Sequence, residues 1–519
     1  MPQLDRRSFF GVSLGLGVSL GLGAAMTLAA CGADTPKAGP AAGEPKMGGT
    51  LRIGALGQAS NVVSDPFGLL ANDSDMLIMS LVYDPLTVPA KSPNVAGRLA
   101  ASWTADQQQQ AWTFTLAEGA TFHDGSPVRP ADVAWSLRTL GELTPWKVPV
   151  DLGSIEASGP RSVAMRVPTP NSQLPLLLRM MTFTVKEGTT DRSDFVGTGP
   201  FRMEAGSYRD GNATLVRNDA WHGDKPLLDR IVVTRFESTD ALANAIMGGE
   251  IDVASSVGSL AARGASARPD LTLVRRPNDL SMPVAIRTSD GPFADPRVRE
   301  AIRLGVDRQA MVEQILSSYG SVGNDVLGTG DPTYADRPQR SRDVVRARQL
   351  LSEARFDTTR SYPLITKREV FNEVEAAQLF ATQLRDIGLD IAVEVKESAD
   401  FYDNYWAKPS APLTTASWTT NDSVMFFASK VLNSESTSNE TAFKDPEFDA
   451  AYHAGLAAAP ESDAYRDASA ELQQIQFDRG GYVLWGMADG IDVARSHVQG
   501  LPELPGWGRA QLEKTWLAT

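Results

Sequence analysis

Cysteine and histidine are scarce in this chain. Cys31 is the one cysteine among 519 residues, so neither a disulfide nor a cluster of cysteine ligands can form within the chain. The four histidines, His123, His222, His453 and His497, do not have the spacing of metal ligands. We therefore expect no metal site.

Long basic runs and nucleotide-binding loops are also missing. No run of lysine or arginine exceeds two residues, and 63 acidic against 49 basic residues give a net charge of -14. Because the chain lacks the basic patch with which proteins bind nucleic acid, nucleic acid is not an expected partner. The absence of a GxxxxGK[ST] loop, and of GxGxxG after a predicted strand, argues against bound ATP or a dinucleotide. We expect no cofactor, and any energy coupling must come from a partner protein.

The chain does have the size and composition of a folded protein with several lobes. It is 42% hydrophobic and 22% charged, which excludes a disordered or fibrous protein. A single hydrophobic core stops growing at roughly 250–300 residues. We therefore expect at least two folded lobes.

The N-terminus has the pattern of a bacterial export signal. Arg6 and Arg7 resemble a twin-arginine motif, an uncharged stretch follows, and residues 28–31 read LAAC, which resembles a lipobox. We expect residues 1–30 to be removed, through either the twin-arginine or the general export route, and Cys31 to carry a lipid. The alternative is an uncleaved membrane anchor, since about 20 uncharged residues can span a bilayer.

The segment after the lipobox is expected to be a flexible tether. Residues 31–47 are rich in Gly, Pro and Ala and have little apolar surface to bury. The folded part then begins near Gly48. We expect it to be exported and lipid-anchored, either at the outer face of the bacterial cytoplasmic membrane or facing the periplasm.

Helix and strand patterns alternate along the folded part. In the clearest unit, 373–395, an apolar helical stripe ends at Gly388 and an alternating strand follows. Residues 111–116 alternate between threonines and larger apolar side chains, as a half-buried strand does. A further helix is predicted to begin after a cap at Ser238 or Thr239. This succession indicates an α/β fold.

No catalytic constellation stands out. His123 and the aspartate after it lie in a Gly-Ser-Pro turn, and a turn role explains both residues. Glu373 with Glu375, and Asp400 with Asp403, could serve acid–base chemistry. Among 63 acidic residues, however, such pairs arise by chance and usually lie on solvated helix faces. The residues alone favour a binding protein over an enzyme, with an exported α/β hydrolase as the alternative.

Short segments that follow one another in a fixed order carry the most specific signal. They read GGTLRI at 48–53, VYDPLT at 82–87, LAASW at 99–103, WTFTL, FHDGSPV and ADVAWSL within 112–137, GTGPF at 197–201, GEIDV at 249–253, PFADPRVREAI at 292–302 and VDR at 306–308. In this order they resemble the family 5 extracellular solute-binding proteins, the peptide-, dipeptide- and nickel-binding components of ABC importers. The resemblance covers nearly the whole folded part. It implies a monomeric protein that is not an enzyme and that delivers its ligand to permease subunits with separate ATPases.

The resemblance also implies a fold and a division of the chain. The fold is the bilobal α/β fold of type II periplasmic binding proteins, with an additional inserted domain and a hinge of two crossings. Lobe I would combine 48–80, 197–290 and 486–519, the inserted domain would be 81–196, and lobe II would be 291–485. The ligand would lie in the cleft between the lobes, and closure would bury it.

One end of the implied ligand site falls near Trp418. In peptide-binding members of the family, an aspartate three residues after such a tryptophan meets the α-ammonium of the peptide. Here Asn421 stands at that position and Asp422 follows it. Because a buried cation needs a fixed anion, either Asp422 takes the role or the ligand has no free ammonium. The resemblance favours a peptide and leaves open an opine, a sugar, a modified amino acid or a metal chelate.

The other end of the implied site is basic. In dipeptide-binding members, a basic residue at the end of a lobe II strand meets the ligand carboxylate, and both Lys367 and Arg368 fit this position. The alternative is a pair of solvated charges. Tyr402, Tyr405 and Trp406 precede Trp418, and they are expected either to line the pocket or to belong to the core.

Overall fold

The computed structural model describes residues 43–518, apart from 69, 71, 92–94, 145–147, 180–181, 369–371, 420–422, 461 and 505. The predicted signal peptide, Cys31 and most of the predicted tether lie outside the described residues, as do Asn421 and Asp422. Residues 43–47, the described end of the tether, are exposed and have no regular structure.

Thirteen α-helices lie within the described ranges. They are α1 (Asp73–Val82), α2 (Pro130–Leu143), α3 (Leu174–Leu177), α4 (Thr239–Gly248), α5 (Ser259–Ser266), α6 (Pro296–Gly305), α7 (Arg308–Ile315), α8 (Val344–Glu353), α9 (Glu373–Arg385), α10 (Ser398–Asn404), α11 (Val424–Phe427), α12 (Pro446–Ala457) and α13 (Asp463–Arg479). None of these helices is long and apolar enough to cross a membrane.

The strands of the described residues are short, with two exceptions. They are β1 (Thr50–Leu56), β2 (Thr87–Pro89), β3 (Val95–Gly97), β4 (Ala100–Ala105), β5 (Ala111–Leu116), β6 (Asp151–Gly159), β7 (Ser162–Arg166), β8 (Phe201–Met203), β9 (Ala213–Arg217), β10 (Arg230–Phe236), β11 (Val253–Ala254), β12 (Leu271–Ile286), β13 (Gly320–Val322), β14 (Ser361–Lys367), β15 (Asp390–Lys396), β16 (Leu413–Thr415), β17 (Trp418–Thr419), β18 (Tyr482–Arg495), β19 (Val498–Gln499) and β20 (Trp516–Leu517).

A mixed sheet of twelve strands runs through the molecule. Its main order is β15-β14-β16-β12-β18-β11-β1-β10-β9-β8, with β13 on β18 and β17 on β12. The segment between β1 and β8 has a separate four-stranded sheet, in the order β4-β5-β7-β6. The mixed α/β architecture is the one that the sequence predicts.

The two longest strands, β12 and β18, pair antiparallel in the middle of the large sheet. Their register shifts between Arg276 and Leu280, and again between Met282 and Pro283. Bulges of this kind bend a strand and increase its twist. The β12–β18 ladder is therefore irregular at these two points, although the sheet continues through them.

Helical layers cover both faces of the sheet in its C-terminal half. Val284 and Trp485 belong to a core that they form with α6, α8 and α9, whereas Ala285 and Leu484 belong to a core formed with α11, α12 and α13. Successive residues of a strand point to opposite faces. This half of the molecule is consequently a three-layer structure with the sheet in the middle.

Predictions that depend on neighbouring residues are confirmed. In β5 the side chains of Trp112, Phe114 and Leu116 are buried, as the alternation predicts. Ser238 caps α4 by accepting a hydrogen bond from the amide three residues further on. Gly388 separates α9 from β15 with a φ of +88°, which glycine adopts without strain.

Candidate functional site

The candidate site lies where β14 and β16 end. These two strands are parallel neighbours, and near their carboxyl ends the hydroxyl of Thr415 donates to that of Thr366 at 2.9 Å. After β14 the chain continues through α9 to β15 on one side of β14, whereas β16 lies on the other side. Ligands of open α/β sheets bind at the carboxyl ends of strands where the strand order reverses in this way.

Lys367 ends β14 at this edge. Its side chain is 3% exposed, and its ammonium lies 3.1 Å from a carboxylate oxygen of Glu373, the first residue of α9. The ammonium also lies 4.6 Å from the centre of the Phe401 ring and 5.4 Å from that of Tyr402. Lys367 is therefore buried and paired, and its interpretation as a solvated charge is wrong.

Glu373 corrects a second expectation. The sequence predicts that Glu373 and Glu375 lie on a solvated face, and Glu375 is indeed exposed. The side chain of Glu373, however, is 2% exposed and faces Lys367. The reason is its place at the first turn of α9, where the helix dipole and the neighbouring ammonium both favour a negative charge. On α10, Asp403 is exposed and Asp400 is partly exposed.

Arg368 differs from its neighbour Lys367. It follows the end of β14 and is exposed, whereas Lys367 is buried beside an acid. The three residues after Arg368 lie outside the described part of the chain. The structure therefore places both predicted basic residues at the candidate edge, in two different environments.

Trp418 meets a buried acid that the sequence did not single out. The carboxylate of Glu440 accepts hydrogen bonds from the indole N–H of Trp406 at 2.9 Å, from the indole N–H of Trp418 at 3.3 Å and from the hydroxyl of Tyr482 at 2.8 Å. Glu440 is 4% exposed. Burial raises its pKa to about 7, although the three donors and the charge of Lys367 act in the opposite direction.

No sequence signal pointed to Glu440. It lies in the irregular segment 433–445, which is rich in Ser, Thr and Asn. An acid in such a segment is expected to be solvated. Its three donors come from positions far apart in the chain, so only the tertiary fold brings them together.

The predicted aromatic residues connect the two ends of the site. The Tyr402 ring lies 5.3 Å from that of Phe401 and 6.1 Å from that of Trp406, centre to centre. Tyr402 is 44% exposed. Tyr405 is partly buried and has the ammonium of Lys396 4.8 Å from its ring centre. Contacts therefore run from Lys367 through Tyr402 and Trp406 to Glu440 and Trp418.

Residues of α5 and α7 contact Asn372, which precedes α9 near this edge. The side-chain amide of Asn372 donates to the carbonyl of Ile315 at 2.8 Å and to the hydroxyl of Ser259, in α5, at 3.4 Å. Elsewhere the amide of Ser172 donates to the carbonyl of Leu456 at 2.8 Å. Ser259 and Ser172, both from the N-terminal half of the chain, are thus in contact with residues of the C-terminal half.

The chemistry of the site is that of recognition. It combines a buried ammonium, a buried carboxylate, an exposed guanidinium and several aromatic rings. In the part of the chain that the structure describes, no group of three or more His, Cys, Asp or Glu residues is arranged to hold a metal ion.

Similar solved structures define the fold. The periplasmic binding protein DppA of Helicobacter pylori, in complex with the peptide STSA, has a TM-score of 0.78 and 18% identity, covering 91% of this chain and 99% of that one. The binding protein AgaA of A. tumefaciens R10, in complex with agropinic acid, has a TM-score of 0.76 and 20% identity, covering 91% and 99%. The fold is that of the type II periplasmic binding proteins, as predicted.

Sequence comparison then gives the family. Residues 94–440 match the bacterial extracellular solute-binding proteins, family 5 Middle, and the chain belongs to this family. The glutathione-binding protein GsiB of Escherichia coli K12 is 22% identical over 346 residues, 64% of this chain and 67% of that protein. The probable di/tripeptide-binding protein 5 of Pseudomonas aeruginosa UCBPP-PA14 is 23% identical over 342 residues, 58% of this chain and 64% of that protein.

Membership of the family decides between the main alternatives. Its members are solute-binding components that deliver their ligands to ABC permeases, and they are not enzymes. The predicted family and the prediction of a binding protein are confirmed. The hydrolase alternative is wrong for this chain.

Proposed function

We propose that this protein captures a short peptide at the edge formed by β14, β16 and β17 and passes it to its permease. The observation that carries the proposal is the combination of basic, acidic and aromatic side chains along this edge. A peptide has a cationic end, an anionic end and apolar side chains between them, so such a set is complementary to it. The names of two relatives, a glutathione-binding protein and a probable di/tripeptide-binding protein, support the same class of solute.

In this proposal Arg368 meets the carboxylate of the peptide. Its side chain is exposed and offers a bidentate fork. Lys367 is committed to Glu373 at 3.1 Å, so it contributes positive charge behind the site. Asp422 meets the peptide ammonium, Trp418 packs against the peptide, and Tyr402 and Tyr405 line the rim.

A solute without a free ammonium is the second candidate. Asn421 stands where peptide-binding members carry an aspartate, and an amide accepts a hydrogen bond without supplying charge. AgaA, which binds agropinic acid, has the same fold. Under this candidate Asn421, rather than Asp422, contacts the solute.

We further propose that the solute is buried by closure of two lobes about β12 and β18. Lobe I combines 48–80, 197–290 and 486–519, lobe II is 291–485, and 81–196 is the inserted domain. The register shift in the β12–β18 pair that falls between Met282 and Pro283 lies opposite residues 484–486, at the proposed crossing between 485 and 486. A solute that contacts both lobes binds the closed state more tightly than the open state, and this difference in affinity favours closure. The protein acts as a monomer.

The solute class is tested by calorimetry on wild type and Asp422→Asn with glutathione, trialanine and the N-acetylated form of each. Truncating one partner of a buried charge pair costs about 2–5 kcal/mol, or roughly 30-fold to several thousandfold in affinity. A peptide binder should lose at least that much on mutation and should discriminate against the acetylated forms. Equal affinity for free and acetylated peptides would instead favour the second candidate, and failure of both peptides to bind would count against peptide capture.

The N-terminus is proposed to anchor the protein. Cys31 is lipidated after residues 1–30 are removed, and the diacylglyceryl group holds the chain at the membrane because two acyl chains bind stably where one does not. Membrane fractionation of cells that express Cys31→Ser should find the variant in the soluble exported fraction. Retention of that variant in the membrane, once residues 1–30 have been removed, would contradict the anchor.

A further inference from the structure

The carboxylate of Glu440 joins three parts of the chain that are distant in sequence. Trp406 follows α10, Trp418 begins β17 and Tyr482 begins β18, and each donates one hydrogen bond to the carboxylate. An ionised carboxylate accepts only and has about four lone-pair sites. It can therefore hold all three donors at the same time.

The register of the large sheet explains why these donors converge. Trp418 is opposite Ser281 on β12, and Tyr482 is opposite Ala285 on the same strand. Both donors are consequently placed by one strand, and Glu440 reaches them from the irregular segment 433–445. An indole of Trp406 or Trp418 that turned away from Glu440 would lose the acceptor of its N–H group. Because a buried donor without an acceptor is unfavourable, Glu440 holds both indoles in their orientation.

Charged groups face this carboxylate from several elements. Lys367 acts on it from β14 and is itself bound to Glu373 of α9. Lys430, from the π-helical turn Ala428–Leu432, lies 4.8 Å from the centre of the Trp418 ring. From β18, Tyr482 has a pKa raised far above its ordinary value by burial and by the charge of Glu440. With burial raising the pKa of Glu440 to about 7, the carboxylate is poised to change its charge near neutral pH.

We propose that Glu440 is the positioning residue of this binding site: by holding the indoles of Trp406 and Trp418 it fixes the aromatic surface that the solute meets, and it releases that surface when it takes up a proton. The part of this proposal that concerns affinity rests on the peptide-binding function proposed above. Its effect on the two indoles is independent of any solute.

The two protonation states of Glu440 differ in what they can accept. The ionised form takes all three donors. The neutral acid has an O–H that must donate and keeps less acceptor capacity, so it holds the three donors less firmly than the ionised form does. The aromatic surface is therefore better fixed above the pKa of Glu440 than below it, and peptide affinity should be higher at pH 8 than at pH 5.5.

The solute-free test follows the indole N–H resonances by NMR between pH 5.5 and 8.5. Trp406→Phe and Trp418→Phe assign the two signals. Both signals should shift together with one midpoint in the wild type and should not titrate in Glu440→Gln. Glu471→Gln, which changes an exposed acid of α13, should titrate like the wild type. If both indole signals still titrated in Glu440→Gln as they do in the wild type, the proposal would be overturned.

A second variant keeps the test decisive if Glu440→Gln does not fold. Tyr482→Phe removes one hydrogen bond from the ionised carboxylate while leaving Glu440 in place. Because that hydrogen bond favours the charged form, the common midpoint of the two indole signals should move to higher pH. A midpoint that stays the same, or moves to lower pH, would contradict the role of Glu440.

The binding test uses glutathione and trialanine as probes. For a probe that the wild type binds, Glu440→Gln should lower the affinity about tenfold, the equivalent of one hydrogen bond, and should abolish the pH dependence. An affinity and pH profile identical to wild type would overturn the proposed effect on binding. If the wild type binds neither probe, the peptide function fails, and the indole titration still decides whether Glu440 positions the aromatic surface.

Discussion

Two buried polar clusters in this protein are built in opposite ways. Arg276, which is fully buried, binds Asp492 at 2.7 and 3.0 Å and lies 3.5 Å from Asp279. The pKa of Arg276 is raised by these two acids in spite of burial, so Arg276 keeps its charge, whereas burial raises the pKa of Asp279 although Arg276 acts in the opposite direction. Glu440, in contrast, is held by two indoles and a phenol, and burial raises its pKa to about 7.

The cluster of Arg276, Asp492 and Asp279 is part of the structural core of the large sheet. It lies at the bulge of β12, where Asn278 has a φ of +55° and the amide of Gly506 donates to Asp279. A Cβ atom on Gly490 would clash with the side chain of Asp279, so only glycine fits there. Every charge has a partner, which is how charged groups persist in an interior.

The comparison teaches where to look for function. A buried charge that is matched by an opposite charge keeps its ionisation state at physiological pH. A buried acid whose hydrogen-bond donors are all neutral responds to small changes around it, and such groups are concentrated at functional sites. The Glu440 cluster, rather than the Arg276 cluster, is therefore the one to perturb in a binding experiment.

The largest effect is expected for Arg276→Met. The variant leaves Asp492 and Asp279 buried without their cation, and breaking a buried ion pair in this way costs about 3–5 kcal/mol of the free energy of unfolding. Urea unfolding at pH 7.5 measures it. A loss below about 1 kcal/mol would mean that the cluster behaves like a surface pair.

The next largest effect separates Lys367 from Arg368. Lys367→Met leaves Glu373 buried without its partner and should cost about 3 kcal/mol of unfolding free energy. Arg368→Met should leave stability within about 0.5 kcal/mol of wild type, because the side chain is exposed. The same two variants in calorimetry should show the larger loss of peptide affinity for Arg368→Met; the reverse ranking would assign the peptide carboxylate to Lys367.

Glu440→Gln should change the pH dependence of stability. The pKa of Glu440 in the folded chain, about 7, lies above its ordinary value of 4.5, so ionisation disfavours the folded state. The wild type should therefore lose stability relative to Glu440→Gln as the pH rises from 4.5 to about 7. The difference between their free energies of unfolding should change by on the order of 3 kcal/mol at most. Denaturation at pH 4.5, 6 and 8 measures the difference, and a rise with pH would show that the sign is wrong.

The smallest effect is expected at the surface. Arg268 and Asp270 form an ion pair at 2.7 Å, with side chains 41% and 40% exposed. Arg268→Met should change the free energy of unfolding by about 0–1 kcal/mol. This variant is the matched control for Arg276→Met, and an equal loss in both would erase the distinction between buried and exposed pairs.

The sequence predicts those features that neighbouring residues determine. The Ser238 cap, the α9–Gly388–β15 unit and the alternation of β5 each depend on a few consecutive residues, and each is confirmed. The order of short segments also carries the family, because order along the chain needs no tertiary information.

The interior of the site could not be predicted in the same way. Lys367 and Glu373 are close in sequence, yet their mutual burial depends on how α9 packs against the end of β14. Glu440 has donors 34, 22 and 42 residues away, and the pairing of β12 with β17 and β18 places two of them, Trp418 and Tyr482. Acids and bases in a polar segment look solvated until the tertiary contacts are known.

Native mass spectrometry tests the central claim, capture of an intact peptide, most directly. The protein is incubated with a mixture of di- and tripeptides, freed of unbound peptide and analysed before and after unfolding. The account predicts a mass adduct that disappears on unfolding and yields unmodified peptides enriched over the mixture, with small-angle scattering showing compaction when they are added back. The absence of any retained peptide, or recovery of cleaved products, would contradict it.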